Sequence, residues 1–217
     1  MPGIGSRRGP TKGDQRERAL LDAARVIFRD KPFGQVTIDE LASAAGIARS
    51  GFYFYFESKQ AVLAALCDQV IGENDKEMAE WLASDGLDRE ALRRGMAGAL
   101  ARWRVEGRWM REAFHNPDPG PEVLQIRERL TADGCSAVSR RIERDARAGL
   151  TVDGPPALLA SMVLNLRIST LADAFANPGE HTDDELLDTL TDATLRLLYG
   201  VVPESGVRAV PEEITAG

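Results

Sequence analysis

The sequence predicts an all-α protein with a small N-terminal three-helix domain and a larger C-terminal helical domain. Apolar residues recur three and four positions apart along most of the chain, which is the spacing of amphipathic helices. We find no sustained alternation of apolar and polar residues bounded by hairpin turns, so strands are not favoured. With 43% hydrophobic and 28% charged residues, the 217-residue chain has the composition of a folded protein with an apolar core.

Gly and Pro breaks divide the chain into an arm, a series of helices and a tail. We expect residues 1–13 to form a flexible arm and residues 203–217 to form a disordered tail. We place the boundary between a first domain, 14–60, and a second domain, 61–202, inside a long fourth helix. Helices are predicted at about 14–29, 38–45, 48–54, 59–82, 88–105, 108–115, 120–148, 155–176 and 183–200.

Residues 37–56 have the pattern of two short helices joined by a tight turn. Thr37 and Glu40 form a capping box that begins the first helix, and Gly46 can adopt the left-handed conformation that ends it. This is the helix-turn-helix pattern, whose second helix reads DNA, although a helical hairpin without a ligand has the same local pattern. The outward side of the second helix would carry Arg49, Ser50, Gly51 and Tyr53.

The segment TIDELASAAGIARSGFYFYFESKQAVL, residues 37–63, resembles the signature of the tetracycline-repressor family of bacterial transcription regulators. The resemblance implies that the second short helix enters the major groove and that Thr37, Tyr53 and Lys59 contact phosphates. Ala48 departs from the family pattern, which has Ser or Thr there as the helix cap. The candidate DNA contacts are therefore Thr37, Arg49, Ser50, Gly51, Tyr53, Tyr55 and Lys59.

The charge distribution agrees with DNA binding at the N-terminal end. The net charge of −7 is divided into +2 over residues 1–70 and −9 over residues 71–217. The basic end can therefore face phosphates while the acidic body stays away from them. In the arm, Arg7, Arg8 and Lys12 either add DNA contacts or remain solvated. The family resemblance implies repression more often than activation.

The second domain carries large apolar side chains on several helices that must converge in one bundle. They form either an ordinary core or the wall of a cavity for a small apolar effector, and the family resemblance favours the cavity. Residues 142–149 and 162–199 also resemble a mycobacterial member of the family, in which the position of Asn165 lines the effector cavity. Alternatively, the Asn165 amide bonds to a neighbouring helix or is exposed. The candidate ligand contacts are Trp81, Met96, Trp103, Met110, Phe114, Met162 and Asn165.

The last two helices, at about 155–176 and 183–200, carry apolar ridges that would be exposed in a monomer. Pairing them around a two-fold axis predicts a homodimer that binds a palindromic double-stranded operator, and the long fourth helix would transmit effector binding to the DNA-binding end. The ridge residues are Leu159, Met162, Val163, Leu166 and Thr170 on one helix and Leu186, Leu190, Leu197 and Leu198 on the other.

Other classes of protein receive little support from the sequence. His115 and His181 are the two histidines, and neither belongs to a metal or nucleophile motif, so we expect no enzyme, metal or cofactor. Because no apolar run reaches the length of a membrane span, we expect a cytoplasmic protein. Cys67 and Cys135 are expected to be ordinary thiols, with a redox pair as the alternative. The main rival is a DNA-binding protein of the same fold without an effector.

Overall fold

The computed structural model describes residues 12–200, apart from the side chains of residues 12 and 71–76. Over this part of the chain there are eight α-helices, one 3₁₀ turn and no strand, which confirms the all-α prediction. The arm up to residue 11, with Arg7 and Arg8, and the tail from residue 203 lie outside it. The elements are α1 (Lys12–Asp30), the 3₁₀ turn Phe33–Gln35, α2 (Ile38–Ala44), α3 (Arg49–Tyr55), α4 (Lys59–Ala83), α5 (Arg89–His115), α6 (Pro121–Arg147), α7 (Pro156–Ala176) and α8 (Asp183–Tyr199).

The capping box predicted at the start of α2 is present. Thr37 Oγ1 accepts a hydrogen bond from the Glu40 N–H at 3.2 Å, and the Glu40 carboxylate accepts one from the Thr37 N–H at 2.8 Å. At the other end of α2, Gly46 has a φ of +67° and turns the chain towards α3. Phe52 and Phe56 are buried beneath α3, so the two short helices are held at a defined angle.

α5 is one continuous helix, so the prediction of two helices at 88–105 and 108–115 was wrong. The predicted break fell at Gly107, because a glycine ordinarily weakens a helix interior. In the structure Gly107 lies against α7, where a Cβ atom would be 2.4 Å from Cδ2 of Phe175. This glycine therefore permits two helices to approach closely, and α5 continues through it.

The second domain is a bundle in which α4 packs against α5 and α6, and α7 packs against α5, α6 and α8. Its polar centre is the buried Arg141 on α6, which donates to the backbone carbonyls of Trp81 and Gly86. The guanidinium lies 4.4 Å from the centroid of the Trp81 ring. The Tyr199 hydroxyl donates to the Asp145 carboxylate at 2.6 Å. These contacts fix the α4–α5 connection to α6 and to the end of α8.

By length and composition, one helix of the described chain, α7, could cross a membrane. A single such helix is weak support for a membrane protein, since the core helices of soluble proteins meet the same criteria. Here α7 packs against three other helices of the bundle.

Candidate nucleic-acid interface and cavity

The α3 helix and the starts of α2 and α4 surround one concave surface, which we call the α3 surface. Thr37, Arg49, Tyr53 and Lys59 line it, so four of the seven candidate DNA contacts meet there. Of the other three, Ser50 is exposed on α3, whereas Gly51 and Tyr55 are half-buried. The geometry therefore groups residues that the sequence spread over 23 positions.

Arg49 is held along the α3 surface by two neighbours. Its Nη1 donates to Asp39 Oδ2 at 2.5 Å, and its Nη2 lies 3.4 Å from the Tyr53 hydroxyl. Both side chains of the ion pair are more than half exposed, at 56% and 63%. An exposed pair of this kind contributes little to stability, so the guanidinium can exchange Asp39 for another acceptor at low energetic cost.

Lys59 has a structural role that the sequence did not indicate. Its Nζ donates to the backbone carbonyls of Phe33 at 2.9 Å and Val36 at 3.0 Å, and it lies 4.7 Å from the centroid of the Phe33 ring. The ammonium therefore joins the start of α4 to the turn that precedes α2. A phosphate contact from Lys59 would use the third N–H of the same group.

The start of α3 has no side-chain cap, as expected from Ala48, and neither Arg49 nor Ser50 supplies one. Sequence reasoning missed Phe54, whose side chain is 82% exposed and whose ring packs edge-on against Tyr55 at 5.1 Å. The signal was present: with Phe52 facing the core, a residue two positions later lies about 200° around the helix and faces outward.

A partly enclosed cavity of about 70 Å³ lies between α5, α6 and α7. Three of the seven candidate ligand contacts, Trp103, Met110 and Phe114, line it. The rest of its described wall consists of Ala99, Arg102, Leu130, Thr131, Gly134, Leu164, Arg167, Ile168 and Leu171.

The other four candidates do not line this cavity, so the prediction that all seven surround one ligand site does not hold. Trp81 is fully buried beneath Arg141, and Met96 is fully buried in the core. Met162 and Asn165 lie on the outer side of α7, where Met162 is 45% exposed. Helical spacing identified apolar positions but could not show which neighbouring helix each side chain would meet.

The Asn165 side chain is exposed, which is one of the alternatives to a place in the cavity wall. Its Nδ2 lies 3.4 Å from Ser161 Oγ on the same helix. The side chain borders an outer groove between α6 and α7, and Phe114, Thr131 and Ile168 line both this groove and the cavity. The groove is therefore separated from the cavity by these shared side chains.

The predicted apolar ridges of the last two helices are only partly exposed. Five of the nine residues are buried within the subunit, so their assignment to an outward ridge was wrong: Leu159, Val163, Leu186, Leu190 and Leu198. The outward apolar face of α7 carries Leu158 and Met162, which are 53% and 45% exposed, and Leu197 is half-buried on α8. Each predicted ridge included residues that are packed inside the subunit.

A buried carboxylate connects the two domains. Glu106 on α5 is 1% exposed and accepts hydrogen bonds from Arg25 Nε and Arg29 Nε on α1, at 2.8 and 2.9 Å. Trp109 Nε1 donates to it at 2.7 Å. Burial raises the pKa of Glu106, but the hydrogen bonds from Arg29, Trp109 and Arg25 outweigh burial and bring this pKa below its ordinary value.

Neither a metal-binding group nor a disulfide is present among the side chains that the structure describes. No group of three or more His, Cys, Asp or Glu side chains with metal-binding geometry occurs between residues 12 and 200, the side chains of 71–76 not being considered. Cys67 is a buried free thiol, and burial raises its pKa to about 12. Cys135 is a half-buried free thiol on α6.

Comparison with known proteins identifies the family. The family model described as bacterial regulatory proteins, tetR family, matches residues 20–66. Over 203 residues the chain is 32% identical to the HTH-type transcriptional regulator EthR of Mycolicibacterium smegmatis, covering 92% of this chain and 93% of EthR.

Solved structures share the fold. SmeT, the repressor of the Stenotrophomonas maltophilia multidrug efflux pump SmeDEF, superposes with a TM-score of 0.67 at 21% identity, covering 87% of this chain and 96% of SmeT. FadR of Thermus thermophilus, a TetR family transcriptional repressor in complex with lauroyl-CoA, superposes with a TM-score of 0.64 at 21% identity, covering 89% of this chain and 100% of FadR. Because the sequence match to EthR spans nearly all of both proteins, the chain belongs to the tetR family of bacterial helix-turn-helix transcriptional regulators.

Proposed function

We propose that this protein is a repressor that binds a palindromic operator as a homodimer and releases it when a small effector occupies the cavity between α5, α6 and α7. The observation that carries the proposal is the α3 surface, where Thr37, Arg49, Tyr53 and Lys59 meet beside a helix suited to the major groove. The protein acts in the cytoplasm, where the chromosomal DNA lies, and has no catalytic step.

In this proposal α3 enters the major groove. Arg49 turns from Asp39 to a guanine edge, to which a guanidinium can donate two hydrogen bonds. Ser50 and Gly51 face the bases, while Thr37, Tyr53, Tyr55 and Lys59 hold the phosphates on either side. Thr37 lies at the start of α2, where the helix dipole favours an anion.

Dimerisation uses the outward faces of α7 and α8. Leu158 and Met162 are large apolar side chains left exposed on α7, and pairing two subunits would remove them from water. A two-fold axis through this contact would present two α3 helices to the two halves of a palindrome. The division into a DNA-binding domain, 14–60, and an effector and dimerisation domain, 61–202, follows from this arrangement.

The effector would lie against Trp103, Met110 and Phe114. The complex of T. thermophilus FadR with lauroyl-CoA, in a similar fold, supports a ligand role for such a cavity. A ligand that displaces α5 would act on the first domain through α4, which packs against α5, and through the contacts of Glu106 with α1.

The test is fluorescence-anisotropy binding to the intergenic DNA beside the protein's own gene, against a random duplex, across a salt series. We expect selective binding that Arg49→Ala weakens about tenfold or more. Arg129→Ala is the matched control, because Arg129 also forms an exposed ion pair with an aspartate, Asp68, but lies on α6. Equal binding to both duplexes at every salt concentration would favour the alternative, a DNA-binding protein of this fold without a regulatory operator.

A further inference from the structure

Phe54 on α3 is an apolar side chain that the fold leaves in contact with solvent. Among the exposed large apolar side chains in the described part of the chain, it has the highest exposure, at 82%. Its ring packs edge-on against Tyr55, with the centroids 5.1 Å apart, and most of the ring remains uncovered. Leu158 and Met162 are also exposed, but they lie on α7 in the second domain. The dimer contact proposed for α7 and α8 therefore gives no reason for an exposed ring on α3.

Phe54 shares one face of α3 with Ser50. Residues four positions apart lie on the same side of a helix, so these two exposed side chains form a stripe, which we call the outer stripe. Arg49 and Tyr53 form the next stripe, which lines the α3 surface. Phe52 is fully buried on the opposite side of the helix, so the outer stripe faces away from the core. In a helix that enters the major groove, this side meets the base edges.

The chemistry of the outer stripe limits what it can recognise on a base. The charged residue of α3 is Arg49 on the neighbouring stripe, and the outer stripe itself carries one hydroxyl, that of Ser50. The phenyl ring of Phe54 has no N–H or O–H donor and no oxygen acceptor, so it cannot distinguish bases by their hydrogen-bonding groups. The apolar group that base pairs present in the major groove is the C5-methyl group of thymine. Contact between the ring and this methyl group removes apolar surface of both from water.

We propose that Phe54 is a specificity-determining residue whose ring contacts the C5-methyl group of a thymine in each half of the operator. This inference rests on the proposed function, because it assigns a base contact to the helix that reads the operator. Arg49 and Phe54 are five residues apart, which is about 7.5 Å along a helix and about two base pairs of duplex. The thymine therefore lies within about three base pairs of the guanine that Arg49 contacts.

The experiment compares duplexes that differ by single methyl groups. The operator is the duplex that the full chain binds selectively by fluorescence anisotropy, and deoxyuridine replaces thymidine at one position of each half-site in turn. Deoxyuridine pairs with adenine as thymidine does and lacks only the methyl group. We expect a position at which the replacement in both half-sites weakens wild-type binding about fivefold to twentyfold. The ratio should be the same at two salt concentrations, because the methyl group is uncharged.

Three variants assign the effect to Phe54. Phe54→Ala should weaken binding to the unmodified operator about tenfold, and deoxyuridine at the sensitive position should then change its affinity by less than about twofold. Phe54→Leu, which keeps an apolar side chain, should retain part of the preference for thymine. Val26→Ala, at a position on α1 that is 56% exposed, is the control and should match the wild type. Because both positions are exposed, all three variants should melt within about 2 °C of the wild type.

The outcomes separate this inference from the proposed function. If no deoxyuridine replacement weakens wild-type binding, or if Phe54→Ala keeps the full sensitivity to the replacement, the thymine contact is overturned while operator binding stands. A loss in Phe54→Ala that is equal for the operator and a random duplex would also overturn it, because the ring would then contact the DNA backbone. If the full chain prefers no duplex over the random one, the proposed function fails, and this inference fails with it.

Discussion

Glu106 on α5 accepts a hydrogen bond from Arg29 Nε on α1 at 2.9 Å, one helical turn from the cavity-lining Trp103 and Met110 on the same helix. A single helix thus contacts the cavity on one side and the first domain on another. The sequence indicates only α4 as the connection between the domains, because α4 is the helix whose length spans the boundary. The buried carboxylate adds a direct contact through α5.

Glu106→Gln should lower the free energy of unfolding at pH 7 by about 1 to 3 kcal/mol, since it removes the negative partner of two arginines. The effect is moderated because Arg25 and Arg29 are 26% and 32% exposed and can be hydrated. Urea denaturation followed by circular dichroism measures it. Glu128→Gln, at an exposed position of α6, is the control, and an equal loss in both variants would contradict the prediction.

The loss of stability in Glu106→Gln should depend on pH. The pKa of Glu106 is lower in the folded protein than its ordinary value, so its stabilising contribution is present above pH about 4.3 and is lost as the pH falls through the folded pKa. The difference in unfolding free energy between wild type and Glu106→Gln should therefore shrink below that pH. A difference that grows towards acid pH would mean that Glu106 is not held as a carboxylate.

Asp39→Asn should strengthen DNA binding several-fold. The change frees Arg49 from its ion pair and removes a negative charge from the α3 surface. Arg49 then reaches its guanine without first leaving Asp39, and the phosphates no longer face the Asp39 carboxylate. Anisotropy titrations at one moderate salt concentration measure the affinity. Asp68→Asn, which frees Arg129 on α6, is the control and should leave the affinity unchanged.

Gly107→Ala should destabilise the bundle by about 1 to 3 kcal/mol, because the new Cβ would lie 2.4 to 2.7 Å from three ring atoms of Phe175. Thermal denaturation measures the loss. In a Phe175→Leu background the same substitution should cost much less, since the ring is absent. A full loss in both backgrounds would mean that another contact excludes the methyl group.

Met162→Glu should yield a monomer, because it places a charge on the outward apolar face of α7. Light scattering at micromolar concentration measures the mass, with a dimer expected for the wild type. Leu124→Glu, also at an exposed apolar position but on α6, should remain dimeric. A monomeric wild type would contradict the proposed interface.

Cys67 should resist a thiol reagent in the native protein, because burial raises the pKa of its thiol to about 12 and keeps it protonated. Cys135, which is half-buried, should react, so a native titration should count one thiol and a denatured one two. An intramolecular disulfide between them under mild oxidation would support the redox alternative.

The local features were predictable for local reasons. The capping box at Thr37 and Glu40, the turn at Gly46 and the burial of Phe52 depend on residues within one or two helical turns, so sequence spacing is sufficient to identify them. Lys59 shows what sequence spacing could not identify. Its position at the start of α4 was predicted, but its bonds to the Phe33 and Val36 carbonyls depend on a turn more than 20 residues earlier.

The sequence by itself determined the all-α class, the helices other than the continuous α5, the capping box of α2 and the helix-turn-helix, because hydrophobic period and capping are properties of neighbouring residues. The tertiary structure decided which apolar faces meet. It placed Trp81 beneath Arg141, Asn165 on the outer groove and Glu106 between two arginines of α1. The physical reason is that a helix presents several apolar and polar positions at once, and only the packing of distant segments selects the neighbour of each side chain.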